Sequence, residues 1–348
     1  MTLLTNGVAP VYCAGSLAIS SRHYDRTQEG CPDVYIERHM VKLISNIVFT
    51  KNRPLQLDAY LESLYRYFPA ELIQTYIIYK VELFEHEYAS LFRRFPDCVV
   101  IKEKDFHRDF MQVLDQVATK YILFGIDDVV FYDSVDLELV DRTFAEHAED
   151  IFGFTLRFSP ESLADSSDVK TKYTITGQQV YRLNWKNGQT PHTRYPFELC
   201  CTFYTAALVR KIIRSSMSDG LLASKLFMPA SPLVKALAVA GLKRSTLKRF
   251  GYFFSPNTLE SWPCRWCRNL KEQLPDFTYF QKLCASAIQV NRVNTSTENA
   301  FDGTAEHTVE ALNDKYQRGY RLDIDFVAKA RPMEPGCGQK YFSLVQSR

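Results

Sequence analysis

Between residues 43 and 126 short blocks of consecutive apolar residues alternate with stretches of helical spacing. Leu43-Ile44-Ser45-Asn46-Ile47-Val48-Phe49 reads as a strand that leaves into Thr50-Lys51-Asn52-Arg53-Pro54, a polar loop closed by proline. Leu57, Tyr60, Leu61 and Leu64 then recur as the apolar face of a helix, which Pro69 stops. Tyr76-Ile77-Ile78-Tyr79 gives a second strand, residues 84 to 94 a second helix ended by Pro96, and Val99-Val100-Ile101 a third strand. Phe106, Phe110, Val113, Leu114 and Val117 line one face of a third helix over Phe106 to Ala118. Tyr121-Ile122-Leu123-Phe124 forms a fourth strand running into Gly125-Ile126-Asp127-Asp128.

Strands and helices in strict alternation predict a doubly wound α/β domain with a mostly parallel central sheet. Strands that are apolar throughout fit a sheet covered by helices on both faces. Ligands of such sheets bind beyond the carboxyl ends of the strands. Two polar clusters fall there: Thr50 to Arg53 after the first strand, and Asp127 with Asp128 after the fourth.

The second half is less regular. Ile151 to Phe158, Val180 to Trp185, Cys200 to Tyr204 and Ala287 to Val293 read as extended. Ala206 to about Arg214, Ser231 to Leu242 and Thr308 to Arg318 read as helices. Residues 1–40 read as an irregular extension, and no internal repeat is present.

Composition narrows the class. The 348 residues are 46% hydrophobic and 24% charged, so the chain is globular rather than disordered. A net charge of +2 lacks the basic excess of a nucleic-acid binder, and that class is set aside. Met1 to Ser21 lacks a secretory pattern, and no run approaches the ~18 apolar residues of a spanning helix. Nine scattered cysteines then point to free thiols in a reducing cytoplasm.

The densest chemistry is Asp127-Asp128. Two adjacent carboxylates at the exit of a buried strand repel each other and lose hydration. A hard divalent cation, Mg²⁺ or Mn²⁺, removes that cost and can bridge to a diphosphate.

Ile47 to Pro54, the helix through Leu61-Glu62-Ser63-Leu64, and Phe124-Gly125-Ile126-Asp127-Asp128-Val129 together resemble the GT-A nucleotide-diphospho-sugar transferases, and more closely the bacterial family 2-like glycosyltransferase domain. The likeness covers residues 43 to 160. Beyond that it rests on Ser255-Pro256-Asn257-Thr258-Leu259-Glu260 and on Leu312 to Arg321.

This resemblance implies a GT-A fold, Rossmann-like, with acceptor-side additions. Its nucleotide-sugar-binding half would span 41–160, an acceptor-binding half 161–330, and a tail 331–348. It implies Asp128 as direct metal ligand and Asp127 facing the ribose or a metal-bound water. Thr50, Asn52 and Arg53 would line the nucleotide pocket. Ile126 stands where an Asp-x-Asp motif has its first acid, and after the second strand only Glu82 is placed to hold the base.

The activity implied is metal-dependent transfer of a sugar from a nucleotide-sugar donor to a hydroxyl of a glycan, lipid-linked or other acceptor. A carboxylate must then take the acceptor's proton if the reaction inverts, and Glu260 and Glu198 are the candidates. Nucleotidyl transfer is the alternative, ranked lower because Thr50 to Pro54 contains no glycine for a phosphate loop. An inactive nucleotide- or glycan-binding module is the other.

Asp105 reads as a helix cap and Arg108 as a solvated side chain at a helix start. The resemblance also implies a late histidine on the metal, for which His192 and His307 are available, although each reads first as an ordinary surface or core histidine. Cys264-Arg265-Trp266-Cys267 lacks a second pair for zinc, so these read as packing thiols. Lys243-Arg244 and Lys248-Arg249, beside Phe250, Tyr252, Phe253 and Phe254, read first as a solvated helix end; peripheral contact with an anionic membrane or a lipid-linked acceptor, or aromatics lining an acceptor groove, are the alternatives.

Overall fold

The computed structural model describes residues 41–163, 170–175, 178–218, 252–293 and 304–346. Residues 1–40, the helix expected over Ser231 to Leu242, and the basic cluster at Lys243 to Arg249 lie outside the described residues.

β1 (Ile44–Lys51), β2 (Ile73–Lys80), β3 (Val99–Lys102) and β4 (Tyr121–Ile126) form as expected, joined by α1 (Pro54–Tyr67), α2 (Glu85–Arg94) and α3 (Phe106–Gln116). Several helix boundaries have a local cause. Pro54 opens α1, where the missing N–H costs nothing, and Pro69 follows its end. Asp105 caps α3 by accepting from the Arg108 amide, which matches its reading as a cap.

β1 pairs with β2 and β4, and β2 with β3, all parallel. Alternate residues feed two cores. Ile44, Val48, Ile77, Tyr121 and Leu123 pack with α1 and α2 on one face, and Ile47, Phe49, Ile78, Ile122 and Phe124 with α3 on the other. That double burial is what the apolar blocks Ile47 to Phe49, Tyr76 to Ile78 and Tyr121 to Phe124 encode.

The sheet continues into the second half in the order β3-β2-β1-β4-β9-β6-β10-β8-β7. The added strands are β6 (Ile151–Thr155), β7 (Lys170–Ile175), β8 (Gln178–Leu183), β9 (Thr202–Thr205) and β10 (Asp276–Phe280). Only β8 and β9 run against the rest, so the sheet is mixed but mostly parallel in direction. α4 (Leu137–Glu146) joins the first core; α5 (Ala206–Ser218) and α6 (Pro256–Asn269) join the second.

Several expected strands shift. The first ends at Thr155, where the chain bends and Leu156 donates to the Cys201 carbonyl. The strand expected over Ala287 to Val293 is instead β11 (Ala285–Ile288), because pairing with β5 (Val129–Phe131) and β13 (Gly336–Cys337) fixes its register and the chain turns away afterwards. Tyr252 and Phe253 do not line a groove. They are buried against α3, with the Phe253 amide donating to His107 Nδ1 at 3.2 Å and the Tyr252 and His107 rings stacked at 4.6 Å.

The C-terminal residues are structural. α7 (Val309–Gln317), β12 (Tyr320–Leu322), α8 (Ile324–Ala330) and β14 (Leu344–Gln346) pack on the α1 face, and 336–346, expected as a tail, supplies two paired strands. Asp58 of α1 is fully buried between two cations, Arg94 of α2 and Arg321 of β12, the latter at 2.8 Å. Arg321 also lies over the Tyr316 ring at 4.0 Å.

α1 approaches β4 closely at Gly125, where an added Cβ would sit 2.0 Å from the Tyr60 hydroxyl. That hydroxyl donates to Asn46 Oδ1 at 2.7 Å in the same layer. Gly125→Ala is therefore expected to force Tyr60 off Asn46 and destabilise the fold by about 1–3 kcal/mol. Chemical denaturation checks it, and an unchanged midpoint would show that α1 can retreat freely.

Candidate active site

The strand order reverses at β1, since β2 and β3 lie on one side of it and β4 on the other. The crevice beyond the carboxyl ends of β1 and β4 is the switch point where doubly wound sheets bind ligands. Asp127 and Asp128 occupy it, between the end of β4 and the start of β5. The Asp128 carbonyl accepts from the Ile288 amide at 2.7 Å, which ties the acid pair to the smaller sheet.

The β1 exit supplies the partners. Thr50 Oγ1 donates to Asp127 Oδ2 at 2.8 Å, and the Lys51 amide reaches the same oxygen at 3.4 Å. Arg53 Nη1 donates to Asp127 Oδ1 at 2.9 Å and to Asp128 Oδ2 at 3.4 Å. Arg53 Nη2 donates to the Asn291 carbonyl at 2.6 Å. The three charged side chains are 9%, 5% and 10% exposed. A divalent ion is the expected means of making the adjacent acids tolerable; here a guanidinium already neutralises part of their charge.

Thr50, Arg53, Asp127 and Asp128 are thus brought together. The other sequence candidates differ. Asn52 takes a left-handed conformation, φ 52°, and its Oδ1 accepts from the Glu82 and Leu83 amides at 3.0 and 3.1 Å, binding the β1 exit to the β2 exit. Glu82 is half exposed in an ion pair with Lys51 at 3.0 Å, and hydrogen bonding to that lysine holds its carboxyl below the usual range.

The network also uses residues that sequence reasoning missed. The Tyr88 hydroxyl accepts from the Arg53 amide at 2.9 Å and lies 2.7 Å from Thr50 Oγ1. Thr50 spends its single proton on Asp127, so Tyr88 donates to Thr50. Asn291 is held by Gln56 at 3.4 Å and donates to the His307 carbonyl at 2.7 Å. Tyr88 was visible as a polar tip on an apolar helical face. Asn291, 238 residues from Arg53, carries no local signal.

Burial opposes the Arg53 charge, but Asp127 and Asp128 outweigh it and raise its pKa. Burial pushes the Asp128 carboxyl up to about 6 against the pull of Arg53, and the adjacent Asp127 adds to the rise. Both Asp127 oxygens are engaged. Asp128 Oδ1 is buried without a hydrogen-bond partner, and so is Arg53 Nε. The donor set therefore fits a hard divalent cation at one oxygen, that of Asp128. One or two carboxylates suffice for Mg²⁺-like ions, which keep waters and phosphates as further ligands. Among the described residues no three His, Cys, Asp or Glu side chains cluster as a metal site. The His307 ring contacts Thr304 Oγ1 at 3.1 Å, and His192 is exposed.

The two glutamates lie at the same end of the sheet. β9 is antiparallel to β4, so the residues before it run beside the β4 exit, and Cys201, at φ 53°, donates to the Phe124 carbonyl at 2.9 Å. Glu198 is buried in an ion pair with Arg157 and accepts from Thr202. Glu260, partly exposed on α6, accepts from the Leu199 amide at 3.1 Å, and burial pushes it up to about 7. Cys264 and Cys267 are free buried thiols, as expected for packing.

No known family profile matches the chain. A stretch of 189 residues, 48% of the chain, is 21% identical to the bifunctional glycosyltransferase pgtA of Dictyostelium discoideum and covers 24% of that protein. The chain is thus glycosyltransferase-like in sequence over about half its length, and spans about a quarter of that relative. Among solved structures, S. aureus TarS aligns with 16% identity and a TM-score of 0.35 over 49% of this chain and 29% of that one. TarS 1-349 in complex with UDP-GlcNAc gives 16%, 0.34, 49% and 47%. A 4-diphosphocytidyl-2C-methyl-D-erythritol synthase gives 13%, 0.26, 58% and 87%. At such scores the fold is read from this chain's own topology.

Removing one partner of a buried ion pair leaves the other charge unpaired. Asp127→Ala is accordingly expected to cost about 3 kcal/mol of folding stability. Urea denaturation measures it, and a loss within the range of a surface substitution would mean that Arg53 finds full compensation elsewhere.

Proposed function

We propose that this protein transfers a glycosyl group from a nucleotide-diphospho-sugar to an acceptor hydroxyl, with the donor's diphosphate seated at Asp128 beside Arg53. The observation that carries this reading is the unpartnered buried oxygen of Asp128 at the switch point of the sheet. A buried carboxylate oxygen without a partner is costly, and a ligand that brings a cation to it removes the cost. The sequence likeness to a named glycosyltransferase supports the same class.

In this reading Asp128 would hold Mn²⁺ or Mg²⁺, and such an ion would supply neutralisation of charge on the departing diphosphate. Thr50 and Tyr88 fix Asp127, and Asp127 fixes Arg53. The guanidinium is thereby held in place, with its unpartnered Nε–H the donor available to the diphosphate. The anomeric C–O bond to the diphosphate breaks with its electron pair leaving on phosphate, and the acceptor oxygen forms the new bond.

For direct displacement Glu260 takes the acceptor's proton. Glu198 is ruled a positioning group in this scheme, because Arg157 and Thr202 already occupy its carboxylate. The seven described cysteines are all free, in keeping with a cytoplasmic setting, and no helix among the described residues is long and apolar enough to cross a membrane.

A thermal-shift panel of nucleotide sugars with Mn²⁺ tests the donor site. Binding at ~100-fold over Kd adds about 2.7 kcal/mol to folded-state stability, a readily seen rise. Wild type should respond to at least one donor and Asp128→Ala to none; equal responses would remove Asp128 from the donor site.

Glu260 gives a pH test. Its folded-state pKa of about 7 lies above the ordinary 4.5, so between these values the folded chain binds more protons than the unfolded one. Stability from this group is therefore lost as pH rises through that window. Turnover should increase through pH 7 as the base form accumulates, and Glu260→Gln should gain melting temperature relative to wild type at pH 8 but not at pH 5. A pH-independent difference would place Glu260 outside the titrating chemistry.

A further inference from the structure

Arg53 holds the acid pair from one side and is itself held from the other. Nη1 reaches Asp127 and Asp128, Nη2 reaches the Asn291 carbonyl, and its backbone amide reaches Tyr88. Asn291 is in turn fastened by Gln56 and by the carbonyl of His307. A guanidinium pinned at both ends and buried differs from a surface arginine that swings aside at little cost.

We infer that Arg53 is a built-in counter-cation that keeps a free divalent ion off the acid pair until a diphosphate arrives with it. The inference rests on the donor-site reading above. Two carboxylates and one guanidinium leave a single net negative charge in the buried site. A divalent ion added alone would turn that into an excess of positive charge beside a fixed guanidinium, at a desolvation cost with no compensating anion. An ion that brings a diphosphate supplies the anion, and the Arg53 Nε–H, which has no partner, is the donor left for its oxygens. Metal and nucleotide therefore bind as a unit, and Arg53 is a positioning residue that sets this coupling.

The test is Mn²⁺ binding to the full chain, read by the electron paramagnetic resonance signal of free Mn²⁺ and by melting temperature, with and without a panel of nucleoside diphosphates. Wild type should bind Mn²⁺ weakly alone and tightly with one of the diphosphates. Arg53→Gln, which removes the competing cation, should bind Mn²⁺ alone at least ~10-fold more tightly, a difference of about 1.4 kcal/mol. Its melting temperature should rise with Mn²⁺ far more than that of wild type. Arg53→Lys keeps the charge and should bind Mn²⁺ alone as weakly as wild type.

Equal affinity of wild type and Arg53→Gln for Mn²⁺ alone would overturn the inference while leaving the donor site standing, provided that a diphosphate still binds. Arg53→Gln that stays unfolded even in Mn²⁺ would overturn it too, since the ion then cannot take the guanidinium's place. Absence of Mn²⁺ binding under every condition, diphosphates included, would remove the metal-bearing donor site along with it.

Discussion

The ion pair of Arg53 with Asp127 and Asp128 is the constraint on which the switch point depends. Three charges with almost no access to water must satisfy one another. Each is served by a different element: the β1 exit brings Arg53 and Thr50, the β4 exit brings the acids, and the segment after β11 brings the Asn291 carbonyl. If any of these elements shifted, a charge would be left buried without a partner. The site thus acts as a lock on the register of the sheet as well as a place for chemistry.

The geometry around the lock departs from ideal backbone where the lock needs it. Asn52 and Cys201 both adopt left-handed conformations, one at the β1 exit and one beside the β4 exit. Asn52 tolerates this readily and uses its side chain to hold the β2 exit. Cys201 has no such ease, yet its amide closes the hydrogen bond to Phe124 that lets β9 begin. Strain of this kind persists where surrounding structure over-determines it.

The legible part of the fold is the part built on β1, β2 and β4, whose strands are mostly buried on both faces. From Leu43 to Phe124 the apolar blocks are long enough to be told from helical spacing, and prolines follow the ends of α1 and α2. In the second half the strands are short, several pair antiparallel, and their register is set by distant partners. β10, Asp276–Phe280, is buried at every position, but only because β6 and β8 flank it. α4 carries a regular apolar face at Leu137, Val140 and Phe144, a helical signal legible in the sequence itself. The acid pair and the Thr50 to Arg53 loop were readable because they follow strands in a recognised alternation. The pairing of Arg53 with both acids was not, because sequence gives the position of a guanidinium and not its direction.

Asp58 shows what this architecture excludes. It lies in the middle of α1, the first helix of the alternating half, yet two arginines serve it, and one of them comes from β12 near the end of the chain. With Arg321 absent, a carboxylate in a dry interior would keep one counter-charge from a side chain that is itself two-fifths exposed. The alternating half is therefore no portable module that could be cut out or grafted elsewhere. Its opening helix is finished by the last strands of the chain.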